Sequence, residues 1–238
     1  MNLEKYQQYS RIARGLEKAD LVLKDARIVN VFTEEIIRGD IAIQDGIIAG
    51  IGSFHGKEEC DLAGRYVCPG FIDSHLHLES TLVTPAELVT VASRHGTTTF
   101  IVDPHESANV SGLAGVDYIL DQTENVKANV YVMMPSCVPA TAIDDNGCTL
   151  TAEDMAPYLH NSRILGLGEV MDSISVVQGE KSMHDKLELF EGRIRDGHAP
   201  FLEEGDLQAY AMAGIATDHE CSFFDYAMRE RRNGLTIL

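Results

Sequence analysis

The first seventy residues contain two different hydrophobic patterns. Over residues 3–19, apolar side chains recur at mostly helical spacing, which predicts a short amphipathic helix within residues 1–20. From there on, the apolar residues form short runs that are typical of β-strands, at 21–23, 27–32, 40–44 and 47–51. Asp45 and Gly46 separate the last two runs, and Asp-Gly between apolar strands is a strong β-hairpin signal. The pattern therefore predicts a small β unit at 21–68.

After residue 68 the pattern changes to apolar strands that alternate with helical stretches. The predicted strands cover residues 70–75, 97–103, 129–135, 163–169, 192–198 and 214–219, and a seventh begins at 235–238. Successive strands end about 30 residues apart, which is the size of a βα unit. Strands that alternate with helices at this spacing predict a parallel sheet.

Ionisable side chains follow several of these strands, and this placement favours a TIM-like (β/α)8 barrel, whose reactive residues lie at the carboxyl ends of the strands. A doubly wound Rossmann sheet is the alternative, but no glycine-rich phosphate motif follows the first strand. A complete barrel needs at least about 200 residues. We therefore expect residues 69–238 to form an incomplete α/β barrel that is truncated in its seventh strand.

The composition narrows the range of partners and compartments. The 238 residues include 37 Asp and Glu against 19 Lys and Arg, a net charge of −18. Such a charge disfavours nucleic acid and anionic membrane surfaces, whereas neutral small substrates and divalent cations remain compatible. The five cysteines are widely spaced without a CxxC pair, and neither a signal peptide nor an 18-residue apolar run occurs. These features predict a cytoplasmic protein with reduced thiols.

Five residues at the predicted strand ends are candidate metal ligands. His75 and His77 lie two residues apart at the end of a strand, so both imidazoles face one side and can chelate one divalent ion. Glu169 ends the fourth strand, where the alternative is a surface salt bridge. His198 and His219 follow the next two strands, and each alone is more often a structural histidine. Together the five form a plausible site for one or two divalent ions.

A second group of residues is placed around these ligands. Asp103, His105 and Glu106 follow the second strand, where they either orient the ligands or form a solvated turn. Glu79 gives a His-x-Glu sequence with His77, but the Pro-Cys-x-x-Cys partner motif of the cytidine-type zinc deaminases is absent, which excludes that fold. Asp218, next to His219, is included as a candidate ligand-orienting or substrate-contacting residue.

Several longer motifs then carry a resemblance to a known family. They occupy residues 69–80, 84–85, 96–99, 103–106, 108–110, 134–139, 168–171, 196–200 and 217–220. The chain resembles the metal-dependent amidohydrolase superfamily, and within it the N-terminal portion of the bacterial adenine deaminases. The resemblance implies a (β/α)8 barrel with a β-sandwich built from segments on either side of the barrel.

The resemblance also implies a two-metal site. In it, His75 and His77 bind one ion, Glu169 bridges both, and His198 and His219 bind the second. Many members of the superfamily have a carboxylated lysine at the bridging position, which Glu169 occupies here. The implied cofactors are two divalent ions, with Mn²⁺, Fe²⁺ and Zn²⁺ as the candidates.

The implied reaction is the hydrolytic deamination of adenine to hypoxanthine and ammonia, a step of purine salvage. A divalent ion makes hydroxide available near neutral pH by lowering the pKa of bound water. In the superfamily an aspartate that ends the eighth strand protonates the leaving amine, and we expect that residue beyond Leu238. The alternatives are a non-catalytic fragment that needs a complementary C-terminal chain or self-association, and another amidohydrolase that acts on a cyclic amide.

Overall fold

A computed structural model describes residues 1–141 and 143–238 of the protein. The chain divides into two compact units, Met1–Pro69 and Gly70–Leu238. Across the described ranges, no helix is both long enough and apolar enough to cross a membrane.

The first unit consists of one helix and one five-stranded sheet. Its elements are helix α1 (Leu3–Ala13) and strands β1 (Ala19–Asn30), β2 (Glu35–Gln44), β3 (Ile47–Gly52), β4 (Gly56–Asp61) and β5 (Tyr66–Val67). The sheet has the order β3-β2-β1-β4, and β5 also pairs with β1. Strand β1 is antiparallel to β2 and parallel to β4 and β5.

The predicted hairpin at Asp45-Gly46 is confirmed. Strands β2 and β3 pair antiparallel around this turn, and both turn residues have positive φ, +51° and +74°, as a type I′ turn requires. A residue without a side chain adopts such a φ at little cost, which explains the glycine at the second position.

The helix is shorter than the hydrophobic pattern predicts. The side chain of Asn2 caps its first turn by accepting a hydrogen bond from the Lys5 amide, and the helix ends at Ala13. Gly15 follows with a φ of +71°, the left-handed conformation that commonly terminates helices. The two short runs expected at 21–23 and 27–32 form the single strand β1, which is irregular between Leu23 and Ala26. In the described residues this unit has one sheet, where a sandwich has two.

The second unit is built around seven parallel strands. They are β6 (Phe71–Leu76), β7 (Thr97–Val102), β8 (Asn129–Pro135), β9 (Ile164–Val170), β10 (Ile194–Gly197), β11 (Thr217–Asp218) and β12 (Thr236–Ile237). They lie in the sheet in their order along the chain. This singly wound order is that of a TIM-like barrel and excludes the doubly wound alternative. Within the described ranges β6 and β12 do not pair, so the barrel is incomplete, as predicted.

Helices follow the strands and pack against the sheet. They are α2 (Pro85–Ser93), α3 (His105–Ser111), α4 (Leu113–Gln122), α5 (Ala152–Met155), α6 (Ser173–Gln178), α7 (Lys181–Leu189), α8 (Glu204–Met212) and α9 (Phe224–Arg232), with 3-10 turns at Glu79–Thr81 and Ala156–His160. Buried strand residues such as Val132 and Leu167 pack in one core with buried helix residues such as Ile119 and Leu187. The core thus fixes where each strand ends.

Two glycines of β9 allow other groups to approach its backbone closely. A Cβ atom at Gly168 would overlap the carboxylate of Asp103, and one at Gly166 would overlap the carbonyl of Ile194. The neighbouring strands can therefore bring Asp103 against the β9 backbone, immediately beside Glu169.

We expect Leu167→Ala to destabilise the second unit strongly, because Leu167 is fully buried in the core of this unit. Truncation of a buried leucine costs about 2–5 kcal/mol in the free energy of unfolding. Denaturant unfolding followed by circular dichroism measures this loss. The matched control is Leu82→Ala, since Leu82 is 95% exposed, and it should change stability by no more than about 0.5 kcal/mol. Equal effects of the two variants would contradict this assignment of the core.

Candidate metal centre

The first three candidate ligands meet at the carboxyl ends of β6 and β9. The Nε2 atoms of His75 and His77 lie 3.1 Å apart. Each is 2.9 Å from Oε1 of Glu169. Glu169 is almost fully buried, so these three atoms form a compact triangle away from bulk water.

Hydrogen bonds at the far sides of the two rings define which nitrogens face this triangle. Nδ1 of His77 lies 2.8 Å from the carbonyl oxygen of Asp103, and Nδ1 of His75 lies 3.1 Å from Oδ2 of Asp196. Both partners accept, so each ring donates its Nδ1–H and presents the Nε2 lone pair to Glu169. Three electron pairs that point at one another in a buried place repel unless a proton or a metal ion lies between them.

The spacing of these atoms fits a shared ion. Two ligand atoms that lie about 2.1 Å from one ion are about 3.0 Å apart at a right angle and about 3.4 Å apart at the tetrahedral angle. The separations of 2.9 and 3.1 Å around Glu169 Oε1 match the first of these values. The residues therefore fit a divalent ion in both chemistry and geometry.

A second ligand group lies on the other side of Glu169. Nδ1 of His198 is 3.4 Å from Glu169 Oε2, and Nε2 of His219 is 3.8 Å from Oε1. These three side chains place ligand atoms within 4.8 Å of one another, as do His75, His77 and Glu169. Because Glu169 belongs to both groups, its two oxygens can serve two neighbouring ions.

Asp196 is a site residue that the sequence analysis did not single out. Its Oδ2 accepts from His75 Nδ1 and lies 3.7 Å from His219 Nδ1, and its Oδ1 accepts a 2.5 Å hydrogen bond from Thr217. A carboxylate behind a ligand imidazole fixes the ring orientation and its tautomer. The signal was present in the sequence, because Asp196 precedes His198 by two residues and so shares its side of the strand.

The electrostatics of the site favour positive charge. Burial alone would lower the pKa of His75, but hydrogen bonds to Asp196 and Glu169 raise it to about 10. His77 behaves in the same way, with a pKa raised to about 9 by Glu169 and the Asp103 carbonyl. Burial would raise the pKa of Glu169, yet the surrounding imidazoles hold it far below its usual range. Without a metal, protons meet the demand for positive charge that a divalent ion would satisfy.

Asp103 and His105 lie directly against the ligands. Nδ1 of His105 is 3.7 Å from Asp103 Oδ1 and 3.6 Å from Glu169 Oε1. In the described part of the chain, both carboxylate oxygens of Asp103 are buried without a hydrogen-bond partner. Burial and the nearby charge of Glu169 raise the pKa of Asp103. The structure therefore brings both residues into the site, where a solvated turn was the alternative.

Glu79 and Glu106 meet at the start of α3. Oε1 of Glu79 accepts hydrogen bonds from the amides of Glu106 and Ser107, at 3.1 and 3.2 Å, and burial raises the pKa of Glu79. Its Oε2 is buried and has no partner among the described residues. The Glu106 carboxylate is exposed and accepts from the Ser80 hydroxyl. Glu79 is therefore anchored to the start of α3, close enough to Glu106 and His77 for their charges to affect its pKa.

Asp218 bonds to the backbone beside His198 and His219. It is fully buried, its Oδ1 accepts from the Ala199 amide at 2.6 Å, and its Oδ2 accepts from the Glu220 amide at 3.0 Å. These amides directly follow His198 and His219. Asp218 therefore orients the backbone that carries the two ligands and lies behind them.

Comparison with known proteins points to one family. The model of the amidohydrolase family matches residues 66–234. The chain is 57% identical over 238 residues to an adenine deaminase of Desulfitobacterium hafniense, covering all of this chain and 42% of that protein. It is 48% identical over 227 residues to an adenine deaminase of Clostridium acetobutylicum, covering 94% of this chain and 40% of that protein. The chain thus spans about two fifths of the length of these curated relatives.

A solved structure shows the same fold at low sequence identity. Atrazine chlorohydrolase TrzN from Arthrobacter aurescens, crystallised with zinc, superimposes with a TM-score of 0.54 at 14% identity, over 91% of this chain and 70% of that one. The family model covers well over half of the sequence and includes every candidate ligand. The chain therefore belongs to the amidohydrolase family.

Proposed function

We propose that this chain forms the metal-binding part of a hydrolase that deaminates adenine to hypoxanthine and ammonia. The observation that carries the proposal is the buried Glu169 carboxylate, faced on two sides by pairs of imidazoles. The extensive identity to relatives named adenine deaminase supports adenine as the substrate.

In this proposal two divalent ions, Mn²⁺, Fe²⁺ or Zn²⁺, occupy the two ligand groups. His75 and His77 would hold one ion, His198 and His219 the other, and Glu169 would contribute to both. When bound, such ions lower the pKa of a coordinated water to near neutrality and so supply a nucleophile for hydrolysis.

The surrounding carboxylates would orient the metal ligands and accept protons. Asp196 would keep the Nε2 atom of His75 free for the ion by accepting from Nδ1–H. Asp103 and His105 would lie against Glu169 and help to orient it. Glu79 and Glu106 would face the substrate, where a carboxyl group can accept from or donate to a ring nitrogen of a neutral purine.

The exposed edges of the sheet support a further polypeptide as partner. Phe71 and Ile72 on the edge strand β6 are more than half exposed, and Leu238 beside β12 is 43% exposed. Exposed apolar edge strands are templates for pairing with other chains. We propose that a complementary C-terminal segment covers them and that self-association does so in its absence.

We place this assembly in the cytoplasm, where the five free cysteines would stay reduced.

We expect substitutions of the ligands to change metal stoichiometry in a graded way. Glu169→Gln removes the carboxylate shared by both groups, so the variant should lose both ions. His198→Asn affects one group, so the variant should keep one ion. Metal analysis of the purified protein after dialysis against Mn²⁺ measures both effects.

The matched control is His160→Asn, because His160 is exposed and lies outside the site. It should bind two ions as the unsubstituted chain does. Retention of both ions by Glu169→Gln would contradict the shared-ligand arrangement.

We expect adenine deamination to require the remaining segment. The chain loaded with Mn²⁺ should release little ammonia from adenine alone and should do so at a much higher rate when co-expressed with a polypeptide that matches the rest of the Desulfitobacterium hafniense relative. The reason is that the added polypeptide would cover the two edge strands and would supply a residue that protonates the leaving amine. Ammonia and hypoxanthine are measured together.

The same complex that carries Glu169→Gln is the control and should be inactive. Ammonia release by the chain alone at the rate of the complex would contradict the need for a partner. A complex that binds two ions and hydrolyses cyclic amides but not adenine would assign the site to another amidohydrolase.

A further inference from the structure

A tyrosine hydroxyl joins the two strand ends that carry Glu169 and His198. Tyr210 lies on α8 and is fully buried. Its hydroxyl donates a 2.6 Å hydrogen bond to the carbonyl oxygen of Val170 and accepts a 3.0 Å hydrogen bond from the backbone amide of His198. The hydroxyl thus acts as both donor and acceptor. Its two partners belong to Val170, which follows Glu169, and to His198 itself.

The sequence allows this approach through a glycine. A Cβ atom at Gly197 would overlap the carbonyl oxygen of Thr217 and would lie 3.2 Å from the Tyr210 hydroxyl oxygen, tighter than ordinary van der Waals contact. Gly197 precedes His198 directly, so the absence of a side chain there lets both β11 and the Tyr210 hydroxyl lie close to the backbone beside the His198 amide.

A serine holds the same strand end from the other side. Ser136, which follows β8, is buried, and its hydroxyl donates a 2.6 Å hydrogen bond to the carbonyl oxygen of Glu169. Its own carbonyl accepts a 2.7 Å hydrogen bond from the buried ammonium group of Lys186. The consecutive carbonyls of Glu169 and Val170 are therefore fixed by different hydroxyls, and only that of Tyr210 reaches His198 as well.

We infer that Tyr210 is a positioning residue that sets the distance between Glu169 and His198 and so preforms one of the two ion positions. Its partners are both backbone groups, so the hydroxyl acts on strand ends without touching a ligand side chain. Ser136 acts on Glu169 alone, which belongs to both positions. The two hydroxyls should therefore have different effects on the two ions. This inference rests on the proposed two-ion function.

The test is Tyr210→Phe, which removes the hydroxyl and keeps the ring. We expect the affinity for the ion held by Glu169, His198 and His219 to fall about 10-fold or more, while the affinity for the ion held by His75, His77 and Glu169 changes by less than about 3-fold. Calorimetric titration of the chain with Mn²⁺ gives both constants. Electron paramagnetic resonance at two equivalents should show a coupled Mn²⁺ pair replaced by isolated Mn²⁺.

Two other variants separate this role from a general loss of stability. Ser136→Ala should weaken both ion positions together. Tyr158→Phe removes a hydroxyl that donates to Asp117 away from the site and should leave both affinities unchanged. If Tyr210→Phe does not fold, fluorotyrosine at this position keeps the ring and weakens the hydroxyl as an acceptor, and the same selective loss should appear in smaller form.

The outcomes distinguish the inference from the function on which it rests. Equal weakening of both positions by Tyr210→Phe, or no change at either, overturns the positioning role while two ions still bind to the unsubstituted chain. If the unsubstituted chain binds no Mn²⁺ pair, the two-ion function is wrong and the inference is overturned with it. A selective loss at the position that contains His198 supports both.

Discussion

The second unit depends on one constraint: a buried carboxylate, Glu169, needs positive charge beside it. Glu169 is 1% exposed, and isolation of its charge in the core would cost several kcal/mol. Imidazoles from β6, β10 and β11 surround it, so several strand ends converge on one side chain. The arrangement is stable only when positive charge is shared among these groups, which makes the centre a site for cations rather than an ordinary ion pair.

The parallel fold is what makes this convergence possible. Carboxyl ends of parallel strands meet at one edge, and consecutive strand order brings residues distant in sequence next to each other. Gly168 then admits the Asp103 carboxylate against β9, and Gly197 admits the Tyr210 hydroxyl beside His198. These two glycines therefore allow polar groups to pack closely around the strand ends.

Much of the candidate site could be predicted from the sequence because its residues follow local rules. His75 and His77 lie two residues apart at the end of β6, and Glu169, His198 and His219 lie at the ends of later strands in a regular succession of βα units. The incomplete barrel followed from the same count of units. The predicted extent of α1 was wrong, because the apolar spacing continues to residue 19 whereas the helix ends at Ala13, just before Gly15.

What could not be predicted depends on contacts without a local signature. The roles of Ser136 and Tyr210 are set by which carbonyl lies opposite each hydroxyl, and that follows from how strands and helices pack. Asp196 lies only two residues before His198, but its partner His75 is far away in sequence. A sequence motif can indicate candidate ligands, whereas the groups that orient those ligands are recognised only from the three-dimensional structure.

Core and site therefore share the same hydrogen bonds. Tyr210 packs in the hydrophobic core through its ring and joins β9 to β10 through its hydroxyl. Asp218 likewise accepts hydrogen bonds from two backbone amides, those of Ala199 and Glu220, which follow His198 and His219. Because these bonds stabilise the strand ends whether or not an ion is present, the fold itself holds the candidate ligands near one another. Preorganisation of this kind lowers the cost of ordering the site when a cation binds.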